Sequence, residues 1–221
     1  MKKKELAKYL DLANHRQDAT PRDIKKLCQK VKKYHFNSAF VNSCYIPLAR
    51  ELMANGVVGT VISFPIGQDT QNIKALAALE AVRRGADELD VSMNVGLFKA
   101  GKDDKVLVEM KRIIEAAKNI KGNVLVKFII ETGLLTDEEI KKASQLVLNS
   151  GADFVKTSSG WGPRGASLKD VELIKEAIGD KIRVKVAGGI HTYKKAIAFI
   201  EEGVDRIGTS HAVEIVKGAK K

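Results

Sequence analysis

Residues 151–156 read GADFVK, and the same pattern returns as GADELD at 85–90 and as GVDRIG at 203–208. Each copy begins with a glycine, the residue that most often ends a helix in the left-handed conformation. Each copy then continues into a short run of residues suited to a β-strand. We therefore predict that every copy marks the point where one helix ends and the next strand begins.

Eight strands of this kind are predicted along the chain, separated by amphipathic stretches with helical spacing. The predicted strands are Tyr9–Ala13, Ser38–Asn42, Val57–Ser63, Glu88–Val95, Asn123–Glu131, Asp153–Thr157, Arg183–Ala187 and Arg206–Thr209. Thr20-Pro21 and Thr136-Asp137 combine a capping residue with a favourable first turn, so they indicate helix starts. Strands that alternate with helices predict a parallel α/β sheet. Eight units of about 28 residues predict one (β/α)₈ TIM-barrel domain over residues 1–221.

The composition is that of a globular protein, with 44% hydrophobic and 29% charged residues. No stretch has the apolar length needed to cross a bilayer, and no apolar segment follows the charged N-terminus as in a signal peptide. Cys28 and Cys44 have neither the spacing of a metal site nor the number of a disulfide framework. We expect a cytoplasmic protein with no membrane partner and no bound metal.

The net charge of +11 is the main sign of an anionic partner, either a nucleic acid or a phosphorylated metabolite. Many of the lysines, such as Lys25, Lys26 and Lys30, are scattered along helical stretches, which is typical of a solvated surface. No basic motif with interleaved aromatic residues is present. We therefore expect a small phosphorylated substrate and no nucleic-acid partner.

Strand alternation predicts which side chains fill the barrel. In the fourth strand Leu89 and Val91 share one face, while Asp90 lies on the opposite face. The apolar face packs on the helices, so the polar face points inward. Asp90, Lys156 and Gly208 hold equivalent places in the repeated pattern, and we expect them in one layer of the interior.

Lys156 is predicted at the C-terminal end of the sixth strand, the catalytic end of such barrels. A deprotonated lysine forms a Schiff base with a carbonyl, but the ordinary lysine pKa of about 10.4 is too high at neutral pH. Lys185 on the next strand offers a remedy. Two ammonium groups about 6 Å apart repel by about 2.8 kcal/mol, which lowers one pKa by about two units. The alternative is two lysines paired with carboxylates, and with Asp90 nearby the catalytic interpretation is favoured.

Asp90 is the candidate proton shuttle, acting through water on a hydroxyl of the substrate. Lys127 on the fifth strand is interpreted as a supporting residue that points inward and pairs with Asp90. Both interpretations are compatible with each other, because a carboxylate in this interior needs a partner in either case.

Two later segments resemble a phosphate cradle. Gly188 and Gly189 follow the seventh strand, and Ser210 and His211 follow the eighth, where this fold often binds phosphate. Glycines allow backbone N–H groups to approach an anion. Gly160 and the 161–167 loop after the sixth strand are expected to close over the ligand, with an ordinary long loop as the alternative. The remaining histidines are predicted to be structural or on the surface; they are His15, His35 and His191.

These segments resemble the deoxyribose-phosphate aldolase family over about Tyr9 to Gly218. The most specific are GADELD at 85–90, VKFIIETGLLT at 126–136, FVKTSSG at 154–160 and VKVAGGI at 184–190, with FPIG at 64–67. The resemblance implies that Lys156 forms the Schiff base, that Lys185 tunes its pKa and that Asp90 relays protons. It also implies reversible cleavage of 2-deoxy-D-ribose 5-phosphate to glyceraldehyde 3-phosphate and acetaldehyde, without metal or other cofactor, in a homo-oligomer such as a dimer or tetramer.

Several segments depart from the family pattern. The chain has DLA at 11–13 in place of the family's Asp-His-Thr, FVNS at 40–43 in place of Cys-Val-Asn-Pro, and SFP at 63–65 in place of Gly-Phe-Pro. It has AGG at 187–189 in place of Ser-Gly-Gly and TSHA at 209–212 in place of Thr-Ser-Ser-Gly. Two other functions therefore stay open. One is a Schiff-base aldolase or related lyase that acts on a different aldehyde, and the other is an inactive basic barrel that binds phosphate or nucleic acid.

Overall fold

The computed structural model describes residues 1–219 and shows eight parallel strands closed into one barrel. The strands are β1 Leu10–Asn14, β2 Ser38–Val41, β3 Val57–Ile62, β4 Glu88–Ser92, β5 Leu125–Ile129, β6 Phe154–Lys156, β7 Arg183–Ala187 and β8 Arg206–Thr209. Strand β8 pairs with β1, with Ile207 opposite Leu10, so the sheet has no free edge. The predicted (β/α)₈ barrel is confirmed.

Helices follow the strands and cover the outside of the barrel. They are α1 Lys3–Ala7, α2 Pro21–Tyr34, α3 Ile46–Met53, α4 Gln71–Arg83, α5 Val95–Lys99, α6 Asp103–Lys118, α7 Asp137–Ser150, α8 Leu168–Ile178, α9 Tyr193–Glu201 and α10 Ala212–Lys217. Short 3₁₀ helices occupy Ser43–Tyr45 and Thr132–Leu134. Within residues 1–219, none of the helices is long and apolar enough to cross a membrane.

The predicted helix starts at Thr20 and Thr136 are confirmed. Each threonine accepts a hydrogen bond from the backbone N–H three residues later, and the acidic residue there, Asp23 or Glu139, bonds back to the threonine N–H. Two orphan donors of the first turn are satisfied reciprocally in this way. These caps fix where α2 and α7 leave the strands that precede them.

The repeated pattern has a structural explanation in its aspartates as well as its glycines. The three glycines have positive φ angles of 107° at Gly85, 81° at Gly151 and 87° at Gly203, as their predicted role at helix ends requires. The three aspartates each accept a hydrogen bond from a backbone N–H on the neighbouring strand, at 2.8–2.9 Å. The pairs are Asp87 with Val58, Asp153 with Val126 and Asp205 with Val184. The pattern therefore joins a helix end to the strand beside it at the N-terminal end of the barrel.

Three strands are shorter than predicted by two residues or more, and β2 and β3 are each shorter by one. Strand β4 ends at Ser92, because the Asn94 side chain accepts a hydrogen bond from Leu97 N–H at 3.0 Å and begins α5. Strand β5 stops at Ile129, and Glu131 turns into the left-handed region with φ 54°. Strand β6 covers only Phe154–Lys156. Local capping and turn geometry ended these strands where the apolar pattern alone predicted that they would continue.

The two faces of the strands separate as predicted. Leu89, Val91, Val184 and Val186 belong to the buried hydrophobic core that packs against the helices. The helix layer also contains one buried ion pair, in which Lys74 Nζ of α4 lies 2.6 Å from Glu109 Oε1 of α6. The opposite faces of the strands leave charged side chains inside the barrel, and these define the candidate site.

Candidate active site

The three side chains predicted to carry the chemistry meet inside the barrel. Lys156 Nζ and Lys185 Nζ each lie 2.8 Å from the same atom, Asp90 Oδ2. The two nitrogens can therefore be no farther apart than twice that distance. Lys156 and Lys185 are also register partners on β6 and β7, so both side chains leave the sheet toward the same interior. The predicted proximity and inward orientation are both confirmed.

The strands contribute seven buried charged side chains, and the cations outnumber the carboxylates by one. The cations are Lys127, Lys156, Lys185 and Arg206. The carboxylates are Asp11, Glu88 and Asp90. Buried charges are costly unless they are paired, so one surplus cation favours the loss of one proton from this group.

Lys156 is the cation with the fewest counter-charges. Within residues 1–219 its only carboxylate partner is Asp90. Each of the other three cations lies within 4.0 Å of two carboxylates. The pairs are Lys127 with Glu88 and Asp90, Lys185 with Asp11 and Asp90, and Arg206 with Asp11 and Glu88. The network therefore selects Lys156 as the amine that gives up its proton.

The pKa shifts agree with this selection. Burial lowers the pKa of Lys156 to about 8; Asp90 opposes the shift, and Lys185 and Lys127 add to it. Burial would also lower the pKa of Lys185, but the carboxylates of Asp11, Asp90 and Glu88 outweigh it and raise that pKa above its ordinary value. Sequence reasoning gave the leading role to repulsion from Lys185. The structure gives it to burial, with Lys185 as a further contribution.

Asp90 stays ionised in this environment. Burial would raise the pKa of its carboxyl, but Lys156, Lys185 and Lys127 together lower the pKa well below its usual range. One of its oxygens, Oδ1, has no hydrogen-bond partner among the described residues and lies 3.3 Å from Lys127 Nζ. Oδ1 therefore faces the buried Lys127, while Oδ2 faces the two lysines at the cavity floor.

Lys127 points inward, as predicted. Its ammonium lies 2.6 Å from Glu88 Oε2, and it sits over the rings of Phe40 and Phe154 at 5.0 and 5.4 Å from their centroids. The side chain is fully buried and does not line the cavity described below. Its position is that of a supporting cation beneath Asp90, as sequence reasoning proposed.

A cavity of about 470 Å³ opens above these groups at the C-terminal ends of the strands. Asp90, Lys156 and Lys185 line its floor. A volume of this size suits a small metabolite. The predicted loop residues Gly160, Gly188, Gly189 and Ser210 line it as well.

The glycines of the predicted cradle hold two loops close together. Gly160 and Gly188 have positive φ angles of 85° and 88°, and a Cβ on Gly188 would lie 3.3 Å from Gly160 Cα and 2.9 Å from Gly165 Cα. Side chains at these positions would push the β6 loop away from the β7 loop. The structure thus brings Gly160 and Gly188 together, with Gly189 next in the chain at φ 71°.

Of the five residues predicted to bind the substrate or its phosphate, His211 is the one that does not line the cavity. Its Nδ1 lies 2.9 Å from Ser210 Oγ, and its ring lies 4.2 Å from the ring of His191 at a tilt of 35°; His191 does line the cavity. His191 is exposed, as predicted, but it also belongs to the cavity wall. His211 therefore acts behind Ser210 and His191, because α10 begins at Ala212 and turns the chain away.

The loop after β6 is anchored, and only its start reaches the cavity. Ser159, Gly160 and Trp161 line the wall, and Trp161 keeps 54% of its surface exposed. Farther along, Arg164 makes two hydrogen bonds of 2.6 and 2.9 Å to Asp170 at the start of α8. Of Gly160 and the 161–167 loop, which are predicted to close over the ligand, Gly160 and Trp161 reach the cavity wall and residues 162–167 do not.

Sequence reasoning missed His15. It directly follows β1, lines the cavity, and lies between the aromatic rings of Phe40 and Phe64. Its Nδ1 is enclosed without a hydrogen-bond partner in the described chain. Burial, followed by the positive charge of Lys156, lowers the pKa of His15 to about 3. The available signal was its place at the C-terminal end of a barrel strand.

The known proteins that this chain resembles are aldolases, in agreement with the geometry of the site. A family model described as "DeoC/LacD family aldolase" matches residues 6–210. The deoxyribose-phosphate aldolase of Carboxydothermus hydrogenoformans is 44% identical over 96% of this chain and 94% of that protein. That of Finegoldia magna is 46% identical over 97% of this chain and its own full length.

Two solved structures superpose closely on this one. An aldolase named QR15 has a TM-score of 0.91 and 38% identity, and the match covers 96% of this chain and 95% of that one. A tetrameric deoxyribose phosphate aldolase from Aeropyrum pernix has a TM-score of 0.88 and 30% identity, over 97% and 90% of the two chains.

Proposed function

Because the chain belongs to the DeoC/LacD family of aldolases, we propose that it reversibly cleaves 2-deoxy-D-ribose 5-phosphate to D-glyceraldehyde 3-phosphate and acetaldehyde. The observation that carries this proposal is the single under-paired amine of Lys156, held over a carboxylate at the floor of a metabolite-sized cavity. An amine of this kind is the nucleophile that a class I aldolase requires.

Lys156 begins the reaction by attacking C1 of the open-chain sugar. The carbonyl oxygen leaves as water, and the lysine is joined to C1 as a protonated imine. With a pKa of about 8, about one tenth of the Lys156 side chains are neutral at pH 7, against less than one in a thousand at the ordinary pKa. The positive charge that returns with the imine replaces the one that the neutral amine gave up, so Asp90 remains paired.

Asp90 serves the proton transfers that follow. A water held by Asp90 accepts the proton of the C3 hydroxyl, the C2–C3 bond breaks, and its electron pair moves into the iminium to give an enamine. Glyceraldehyde 3-phosphate leaves with the new carbonyl at the former C3. The enamine then takes a proton at C2, and hydrolysis of the imine releases acetaldehyde and frees Lys156. The place of Asp90 in the cavity lining, with Oδ2 2.8 Å from Lys156 Nζ, supports this role.

We place the phosphate in the cradle formed by Gly188, Gly189 and Ser210. The glycine backbones are open to an anion, and the side chains of Lys156 and Lys185 add positive charge at the floor of the same cavity. The sugar chain would then extend from Lys156 at the floor to the phosphate at the rim. The imine supplies the electron sink, so we propose that turnover needs no metal or organic cofactor.

The decisive test is chemical trapping. Acetaldehyde with borohydride should add to Lys156, with peptide mapping by mass spectrometry as the readout, and Lys156→Ala should abolish both the adduct and turnover. Lys74 is an internal control, since it is just as buried but faces Glu109 and lies away from the cavity wall. An adduct on Lys185 instead, or full activity of Lys156→Ala, would contradict the proposal.

The second candidate is an aldolase or related lyase for an unphosphorylated aldehyde. It is favoured by the TSHA segment at 209–212, in which His211 lies behind the cavity wall instead of in it. Comparing kcat/KM for 2-deoxyribose 5-phosphate and 2-deoxyribose separates the two, and a preference for the free sugar would support this second candidate. Absence of turnover with either, together with salt-sensitive retention of nucleic acid, would favour an inactive binding barrel.

We also propose a cytoplasmic homo-oligomer, either a dimer or a tetramer. The tetrameric relative from Aeropyrum pernix supports the assembly, and sedimentation equilibrium measures it directly. Cys28 and Cys44 are both free thiols, one buried and one exposed, which suits a reducing compartment.

A further inference from the structure

His15 occupies a distinctive place on the cavity wall. It follows β1, and β1 pairs with β8, whose loop carries Ser210 of the cradle. Its ring is also 5.3 Å from the ring of Phe64, and Lys156 Nζ lies 5.9 Å from the centroid of that same ring. His15 is therefore close to the reactive amine on one side and to the cradle strand on the other.

The ring of His15 lies beside two aromatic rings and carries one nitrogen without a hydrogen-bond partner. Phe40 packs edge-on at 6.4 Å and Phe64 is tilted beside it, while Nδ1 of His15 is enclosed and without a partner among residues 1–219. Leaving a buried ring nitrogen unpaired is unfavourable. A leucine or phenylalanine would fill this wall without that cost, so packing alone does not explain a histidine here.

The imidazole is uncharged in the working range of the enzyme. Burial and the positive charges of Lys156 and Lys185 lower its pKa to about 3, and they outweigh Asp90 and the Asn42 side chain, which oppose the shift. A neutral imidazole offers one donor and one acceptor nitrogen and adds no positive charge beside the amine. Such a group recognises a hydroxyl in preference to a phosphate or a carboxylate.

We propose that His15 is a specificity-determining residue that binds the C4 hydroxyl of the sugar, which is the 2-hydroxyl of glyceraldehyde 3-phosphate. This inference rests on the proposed function. Between an imine at C1 on Lys156 and a phosphate at C5 in the cradle, the chain carries two hydroxyls. Asp90 serves the one at C3, beside the amine. The one at C4 lies nearer the phosphate, where β1 adjoins β8.

The test compares two acceptors in the condensation direction. Acetaldehyde is combined either with D-glyceraldehyde 3-phosphate or with 3-phosphooxypropanal, the same aldehyde without its 2-hydroxyl, and the ratio of the two kcat/KM values is measured. The wild-type ratio is compared with those of His15→Leu and His15→Gln. Intrinsic differences between the aldehydes cancel in this comparison.

His15→Leu should lower the preference for the hydroxylated acceptor by about tenfold, the loss expected for one hydrogen bond to a buried partner. His15→Gln, which keeps a donor and an acceptor, should retain part of the preference and covers the case in which the leucine variant does not fold. Variants that still trap acetaldehyde on Lys156 retain the reactive amine at the cavity floor. A ratio in both variants within twofold of the wild type would overturn the role of His15, whereas a wild-type enzyme that condenses neither acceptor would overturn the proposed function itself.

Discussion

Replacing Lys185 with methionine tests how the barrel keeps Lys156 neutral. The substitution leaves three buried cations and three carboxylates and removes the strongest positive charge that acts on Lys156, so burial and the weaker charge of Lys127 alone still lower its pKa. Two unit charges about 5.5 Å apart repel by about 3 kcal/mol at an effective dielectric of about 20. That energy corresponds to about two pKa units. At pH 7 the neutral fraction of Lys156 should fall by about a hundredfold.

The assay is the rate at which acetaldehyde and cyanoborohydride modify Lys156 between pH 6 and pH 10. The wild-type rate should rise with pH through about 8, the pKa of Lys156. In Lys185→Met the same rise should occur about two pH units higher. Only the neutral amine attacks, so the rate follows the neutral fraction of Lys156. The modified fraction is read from the mass of the Lys156 peptide.

Lys127→Met is the matched comparison. It also removes one interior cation, but Lys127 has the weakest influence among the charges that act on Lys156. Its pH profile should therefore move by less than that of Lys185→Met. If the modification rate of folded Lys185→Met rises over the same pH range as that of the wild type, the reasoning from charge balance is refuted and burial is the sole cause.

Three further predictions concern Asp90, the buried charge of Lys156, and the ion pair of Lys74 with Glu109. Asp90→Asn should cut turnover by about a hundredfold or more, while acetaldehyde trapping persists and its acid limb moves to lower pH; turnover near the wild-type level would exclude the relay. Lys156→Met should be the more stable protein at pH 7. Its advantage should narrow by about 2 kcal/mol by pH 9.5, because the wild-type lysine has a lowered folded-state pKa and sheds its buried charge as pH rises through about 8; a constant gap in urea midpoints would contradict this. Glu109→Ala should cost about 3–5 kcal/mol by leaving Lys74 unpaired, whereas Lys74→Met with Glu109→Leu should cost far less.

The interior of the barrel was predictable because strand alternation is a local property. Each strand assigns its two faces without any knowledge of its neighbours. In β4, Leu89 and Val91 lie on the face opposite Asp90, and in β7, Val184 and Val186 lie on the face opposite Lys185. Parallel strands with helices on one side then force the polar face inward.

The pairing inside the barrel was not predictable, because it joins residues far apart in the chain. Asp11 meets Arg206 across 195 positions, and Glu88 meets Lys127 across 39. These contacts decide which lysine has the fewest counter-charges. The sequence shows two lysines and one aspartate, and so favours Lys185 as the leading cause, whereas burial leads, the charges of Lys185 and Lys127 add to it, and Asp90 opposes it.

Loop residues were predicted less well than strand residues. Ser210 lines the cavity, whereas His211, the residue directly before α10, does not. His15 lay one residue beyond the end of β1, where the alternating pattern no longer applies. Its proximity to Phe40 and Phe64 depends on the packing of β1 against its neighbours, which a single strand does not encode.

The most direct test of the account is a titration of the lysine side-chain nitrogens by NMR in the ¹⁵N-lysine-labelled protein, with Lys156→Met and Lys185→Met used for assignment. The account predicts that the Nζ of Lys156 titrates near pH 8 and that Lys185 remains protonated beyond the range of an ordinary lysine. Titration of Lys185 near pH 8 with Lys156 still charged at pH 10 would contradict it, because the barrel would then hold the wrong amine neutral.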